Sequence, residues 1–233
     1  MPSKLERFYC WACELIYHEL AWAYDLISWL VSFGRWHRWQ MVALDYLVGT
    51  NILELGFGTG TLMSQILQRG YQIVGIDLSP QMQQVAKAKM ARRGQSFSGV
   101  LAKGQNLPFP AAQFHTIVAT FPASYILTPE TLSECVRVLK QPAGPKSTYQ
   151  QNLPGRLVIV GAWVSLQRSW LQNLIPLFYG EPDAQQKESL IKQLYAAGLS
   201  ARFVSVVDAW AEVSVIVAEL RSWELQGGQY GEE

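Results

Sequence analysis

The sequence predicts an α/β fold: a Rossmann-like, seven-stranded, mostly parallel sheet with a C-terminal antiparallel hairpin and an N-terminal helical cap. Three observations carry this expectation. From residue 51 onward, short β-branched runs alternate with helical patterns, as βαβ units and a parallel sheet require. A glycine turn, Gly56-Phe57-Gly58-Thr59-Gly60, separates the first such run from the first such helix. Finally, Arg202–Asp208 and Glu212–Leu220 are β-rich runs with almost nothing between them, so they must pair as an antiparallel hairpin.

In order, Asn51–Gly56 reads as strand one and Thr61–Arg69 as its helix. Gln72–Asp77 is strand two, and Ser79-Pro80 opens a helix to about Arg93, with Ser79 as N-cap and Pro80 in the first helical position. Ser98–Ala102 is a weak third strand, Thr116–Thr120 the fourth, Pro129–Lys140 the helix after it, and Gly155–Ala162 the fifth strand. Helical patterns follow at 168–178 and 183–197, the second closed by Gly198. Gln141–Pro154 is a loop by composition, placed at the sheet end opposite the crevice that open α/β sheets form outside their carboxyl ends.

Residues 1–49 form a separate region, the helical cap, and residues 50–233 the main domain. Within Phe8–Phe33, the most hydrophobic stretch, Trp11, Leu15, Trp22, Leu26 and Trp29 recur at helical spacing or its sums. Glu14, His18, Glu19 and Asp25 interrupt that stretch, which argues against a membrane span.

With 49% hydrophobic and 16% charged residues, the chain can bury a real core. Its formal charge of +1, without any block of like charge, offers no footprint for nucleic acid. Three cysteines and no secretory leader suit a reducing cytoplasm, the expected location. Cys10-Trp11-Ala12-Cys13 has C-x-x-C spacing, but zinc needs about four ligands and no second pair exists. No metal is expected.

Glycine suits a turn with positive φ where a ligand approaches the backbone closely, and the helix-start N–H groups then face that ligand. The spacing here is G-x-G-x-G, with Thr61 where the dinucleotide fingerprint has its third glycine. Glu54 stands two residues before Gly56; its carboxylate would repel a pyrophosphate but suit an ammonium group. Asp77 ends strand two, where a carboxylate can accept from both hydroxyls of a ribose.

ILELGFGTG, GIDLSPQM and QNLPFP-(x)₃-F resemble motifs of the class I S-adenosylmethionine-dependent methyltransferases, especially the type 11 group, over about residues 50–162. The resemblance implies S-adenosyl-L-methionine as cofactor, held by Glu54, Gly56, Gly58 and Gly60, with the ribose on Asp77 and the adenine against Leu78 and Met82. Phe57, Gly104, Gln105, Asn106 and Thr120 complete the candidate cofactor set. Two positions depart from the family pattern. Lys103-Gly104 replaces the usual Asp-Ala, and a lysine cannot accept a hydrogen bond from the adenine amino group. His115 replaces an Asp before strand four; it lies about five residues from that strand's carboxyl end and is read as structural.

Tyr24-Asp25-Leu26-Ile27 and Ser32–Trp39 resemble the N-terminal segment of the ubiquinone/menaquinone C-methyltransferases. That likeness implies a cover over the cofactor and an apolar acceptor pocket, with Tyr24, Trp22, Trp29 and Phe121 as candidate substrate residues and Trp36 as a further lining residue; an aromatic-rich helical cap that belongs to the core is the equal alternative. The expected partner is a small apolar or aromatic molecule, with a peripheral membrane contact. No catalytic residue stands out; Tyr24, Asp25, His18 and His37 lie in the right segment for a general base. Two other readings stand beside this one: a non-catalytic adenosyl-binding regulator, which Lys103 favours, and an NAD-linked oxidoreductase, which the glycine spacing and the hairpin disfavour.

Overall fold

The computed structural model describes residue 32 and residues 34–141, 153–166 and 182–221. The helical face expected within 8–33, most of the 141–154 loop and the helix expected at 168–178 lie outside the described residues, as do Tyr24, Trp22 and Trp29.

Helix α1 (Trp36–Met41) and a 3₁₀ turn (Val42–Tyr46) precede β1 (Asn51–Leu55). There follow α2 (Thr61–Gln68), β2 (Gln72–Asp77), α3 (Pro80–Ala91), β3 (Gly99–Leu101), β4 (Thr116–Thr120), a 3₁₀ turn (Ser124–Leu127) and α4 (Pro129–Val138). The C-terminal part holds β5 (Arg156–Leu166), α5 (Ala184–Ala196), β6 (Leu199–Val207) and β7 (Ala211–Leu220).

The seven strands form one sheet in the order β3-β2-β1-β4-β5-β7-β6. Pairs from β3 to β5 are parallel, whereas β7 runs antiparallel to both β5 and β6. This is the expected architecture. Chain direction through the sheet reverses between β1 and β4, and that switch point is where an open α/β sheet leaves a ligand crevice.

Alternation along the central strands supplies two cores. In β1, Leu53 and Leu55 pack on one face with Ile117, Leu157, Leu132 and Leu194, while Ile52 packs on the other with Val118, Leu62, Met63 and Ile66. Both faces are covered, so the strands read as nearly continuous apolar runs. Each such side chain contributes roughly 1.5–3 kcal/mol on burial.

Local rules set the helix ends. Ser79 Oγ accepts from Met82 N at the start of α3, with Pro80 at the first helical position, as expected. Asp183 and Gln186 form a reciprocal capping box on α5. Gly198, at φ +93°, ends that helix, and β6 begins at once, three residues before the run that sequence composition marks.

Strand β5 is also longer than its composition suggests. Composition ends it at Ala162, but Gly161 adopts φ +73° and the register slips between Val160 and Val164 before pairing resumes. At this bulge Ser214 Oγ accepts from Trp163 N and donates to Trp163 O, both at 2.9 Å, replacing lost ladder bonds. None of the helices within the described residues is long and apolar enough to cross a membrane.

Candidate functional site

A cavity of about 790 Å³ opens at the carboxyl ends of β1, β2 and β4. Its floor is the turn after β1. Gly56, Gly58 and Gly60 all adopt positive φ, at +74°, +51° and +72°, which only glycine takes without strain. They serve different ends. A Cβ on Gly58 would meet nothing within 4 Å, so the backbone there is bare toward open space, whereas one on Gly60 would lie 3.0 Å from Ala86 Cβ. Gly60 therefore permits α2–α3 packing and is absent from the cavity wall.

Asp77 lines the cavity and is 8% exposed. Its Oδ2 accepts from Gly58 N and its Oδ1 from Ser79 N, each at 2.8 Å. One carboxylate thus ties the turn after β1 to the start of α3. Burial raises its pKa above the ordinary carboxylate range, and these backbone donors pull it only partly back. Leu78 follows on the wall, 59% exposed in spite of its apolar side chain.

Glu54 lies outside the lining and is 1% exposed. It accepts a backbone hydrogen bond from Met63, and its Oε2 has no partner among the described residues. Burial, and then the neighbouring Asp77 charge, push its carboxyl well above the usual range. An unpaired carboxylate oxygen at such a site is costly, on the order of 1–3 kcal/mol.

Of the other candidate cofactor residues, Phe57, Gly104, Gln105 and Thr120 line the cavity. Met82 and Asn106 do not. Met82 is fully buried, and Asn106 N closes a turn onto Lys103 O at 3.1 Å. The loop bearing these residues is clamped from α4: Glu134 Oε2 accepts from Leu107 N at 2.7 Å, and Arg137 donates to the carbonyls of Leu107 and Phe109 at 2.9 and 2.7 Å.

The remaining wall is aromatic. Phe121, just past β4, holds φ +48°, an outlier for a bulky residue. Trp36 stacks on it with centroids 4.0 Å apart, and Trp39 lies at 6.3 Å. The indole Nε1 of Trp36 is buried without a partner among the described residues. Gln40 Nε2 donates to Thr120 Oγ1 at 3.4 Å, joining α1 to the end of β4.

A four-bond junction anchors α1 to the β6–β7 turn at the edge of the sheet. Asp208 Oδ2 accepts from Arg35 and from Trp39 Nε1 at 3.1 Å each, while its Oδ1 caps the β6–β7 turn at Trp210 N and Ala211 N.

Tyr125 was not among the sequence-derived candidates. It lines the cavity from the 3₁₀ turn after β4, and its ring crowds two glycines: a Cβ on Gly56 would lie 3.3 Å from its hydroxyl, and one on Gly104 3.0 Å from its Cε2. Its only sequence signal is position, five residues past a strand end. Trp36, which the sequence offers as a lining residue of an apolar cavity, does line it, whereas Gln40, just past the aromatic segment, carries no signal of its own.

His115 lies at the amino end of β4, away from the cavity. Its Nδ1 accepts from Asn51 N at 3.2 Å, and burial together with Lys140 lowers its pKa. His37 is exposed and outside the lining; His18, Tyr24 and Asp25 fall outside the described residues. Among the described residues no group of three His, Cys, Asp or Glu side chains could hold a metal ion.

A family profile described as a methyltransferase domain matches residues 52–142. The demethylmenaquinone methyltransferase of Thermus thermophilus is 29% identical over 209 residues, covering 81% of this chain and 93% of that protein. Its counterpart from Tropheryma whipplei is 31% identical over 165 residues, covering 69% of this chain and 66% of that protein. In structure, an S-adenosylmethionine-dependent methyltransferase from Aquifex aeolicus superposes with a TM-score of 0.55, covering 78% of this chain and 89% of that one. At 18% identity that likeness is one of fold.

Proposed function

This chain belongs to the class I S-adenosylmethionine-dependent methyltransferases, and from that premise we propose that its acceptor is a small, apolar, quinone-type ring. The observation that carries this reading is the aromatic wall, where Trp36 lies flat on Phe121 and Tyr125 borders the same cavity. Such walls supply stacking area to planar rings and little hydrogen bonding to sugars or peptides. The relatives named for demethylmenaquinone support the same class.

Bound S-adenosylmethionine supplies an already activated methyl carbon. The residues present fit it. Asp77 keeps lone-pair capacity beyond the backbone bonds it accepts, suiting ribose hydroxyls. Gly58 offers bare backbone, and exposed Leu78 offers an apolar face to a purine. The orphaned Oε2 of Glu54 suits the ammonium of the methionine moiety, whose charge would offset the cost of ionising a buried carboxyl.

The chain's own share of the reaction is then positioning and exclusion of water. Phe121 and Trp36 hold the acceptor ring, and Asp77 and the glycine turn hold the cofactor. Asp77 serves poorly as a general base, because its carboxylate already binds Gly58 and Ser79. The cover attributed to residues 1–49, with Tyr24, Trp22 and Trp29 facing the acceptor, belongs to this proposal, as do a cytoplasmic location and a peripheral contact with the membrane that stores such acceptors.

The test is transfer of tritiated methyl to a short-chain demethylated naphthoquinol and, in parallel, to a hydrophilic catechol. Label is expected in the naphthoquinol alone. Equal labelling of both, or of the catechol alone, would sink the acceptor class. Deleting residues 1–30 is expected to abolish transfer while leaving cofactor binding; full turnover in the truncated protein would remove the cover from the proposal.

A further inference from the structure

Asp77 and Lys103 are the only charged side chains on the cavity wall among the described residues. They are neighbours across the sheet. Leu101 of β3 pairs with Asp77 of β2, Ala102 N donates to Asp77 O at 3.1 Å, and Lys103 follows. Lys103 is exposed, and among the described residues no side-chain hydrogen bond or ion pair engages it. Next on the wall come Gly104, pressed against the Tyr125 ring, and Gln105.

The direction of a nucleoside in this cavity follows from the sheet order. With its ribose on Asp77, its remaining moieties divide between two ends: the glycine turn after β1, with Glu54 beside it, and the β3 side, where Lys103 and Gln105 stand. The ammonium-bearing end suits Glu54, which leaves the base at β3. This step rests on the cofactor assignment above.

The two side chains at that end recognise different purine edges. An ammonium only donates, so it finds acceptors at the ring nitrogens of adenine and nothing to accept from the 6-amino group. A 6-oxo purine presents O6 and N7 side by side, the pair a lysine addresses best, whereas a glutamine amide matches N6 and N7 of adenine. Among the described residues no carboxylate lines this end to demand an amino group.

We propose that Lys103 is the specificity-determining residue of the base end, donating to an acceptor on the purine edge so that the site admits a 6-oxo base as well as a 6-amino one. Gln105 retains adenine, and Lys103 removes the selectivity against its deaminated counterpart.

The test is calorimetric binding of S-adenosylhomocysteine and of S-inosylhomocysteine to the full chain and to Lys103→Ala and Lys103→Asp. Because Lys103 is exposed, both variants should fold. The wild type is expected to bind the two ligands within about threefold of each other. Lys103→Ala should weaken the inosyl ligand by about tenfold with little effect on the adenosyl ligand, and Lys103→Asp should widen that gap further in favour of adenosine. A wild type that rejects the inosyl ligand by more than about tenfold, or an identical preference in all three proteins, overturns the proposal while leaving the cofactor assignment intact. Failure of the wild type to bind S-adenosylhomocysteine at all overturns both.

Discussion

The phenyl ring of Phe121 occupies the space that a side chain at position 161 would need: a Cβ built on Gly161 would lie 2.4 Å from both Cδ1 and Cε1 of that ring. Both residues adopt positive φ, Phe121 at +48°, where a bulky side chain is strained, and Gly161 at +73°, which glycine takes freely, and Phe121 N donates to Val160 O at 2.7 Å. The bulge in β5 thereby creates the berth for an aromatic ring at the cavity wall.

Gly161→Ala is expected to destabilise the protein by about 2–4 kcal/mol, because it adds both a clash and an unfavourable φ. It should also displace Phe121 from Trp36. Denaturant unfolding and steady-state kinetics check this together: the midpoint falls and the acceptor KM rises, while S-adenosylhomocysteine affinity stays. An acceptor KM unchanged from wild type would detach Phe121 from substrate binding.

Asp77→Ala should weaken cofactor binding by about 1–3 kcal/mol, through loss of the ribose contact and loosening of the Gly58 turn. Asp77→Asn, which keeps one oxygen acceptor, should recover part of it. Titration calorimetry decides; equal affinities for all three proteins would place the ribose elsewhere.

Glu54 gives a pH signature. Its folded-state pKa is raised, first by burial and then by Asp77, so the folded chain holds this proton to higher pH than the unfolded chain does. Its stabilising contribution is complete below the ordinary carboxylate pKa and is lost as pH rises through the raised value. Thermal melts of the cofactor-free protein should therefore weaken across that window, and Glu54→Gln should flatten the profile while impairing cofactor binding. A variant with the wild-type pH profile would show that Glu54 is not the group responsible.

Asp208 behaves in the opposite sense. Burial raises its pKa, but hydrogen bonds from Trp210 N, Trp39, Ala211 N and Arg35 together outweigh that and leave it lowered. Its contribution is present above the ordinary carboxylate pKa and is lost as pH falls through the depressed value. Asp208→Ala should cost about 1–3 kcal/mol near neutrality and raise the acceptor KM by loosening α1. The stability gap to wild type should close in acid. A gap that persists there would trace the loss to packing instead.

The sheet was legible wherever one rule governed a segment. Thr116–Thr120 is a strand on both readings because five β-branched or small residues are bounded by a polar start and a Phe-Pro stop. Composition misjudged β5 because Gly161 looks like a terminator, and only the Ser214 hydroxyl, contributed from a strand about fifty residues away, lets pairing resume. Within the site, the glycine turn and Asp77 were readable since their roles are local. Gly60 and Met82 share motifs with ligand-facing neighbours yet point into packing. Tyr125 sits in a single 3₁₀ turn whose four residues carry no periodicity, and the Glu134–Arg137 clamp on the loop before β4 joins segments about thirty residues apart.

The Asp208 junction has a consequence for how this chain can change over generations. The cofactor end is held chiefly by main-chain donors that converge on one carboxylate, so few substitutions there are neutral. The helix that brings Trp36 to the aromatic wall is tied instead to one side chain on a hairpin turn, through Arg35 and Trp39. Point changes at 35–40 and 208–211 can reshape the acceptor berth while the methyl-donor grip is inherited intact. A library randomised at those positions and sorted on new acceptors would exploit the same division, with donor affinity as its built-in control.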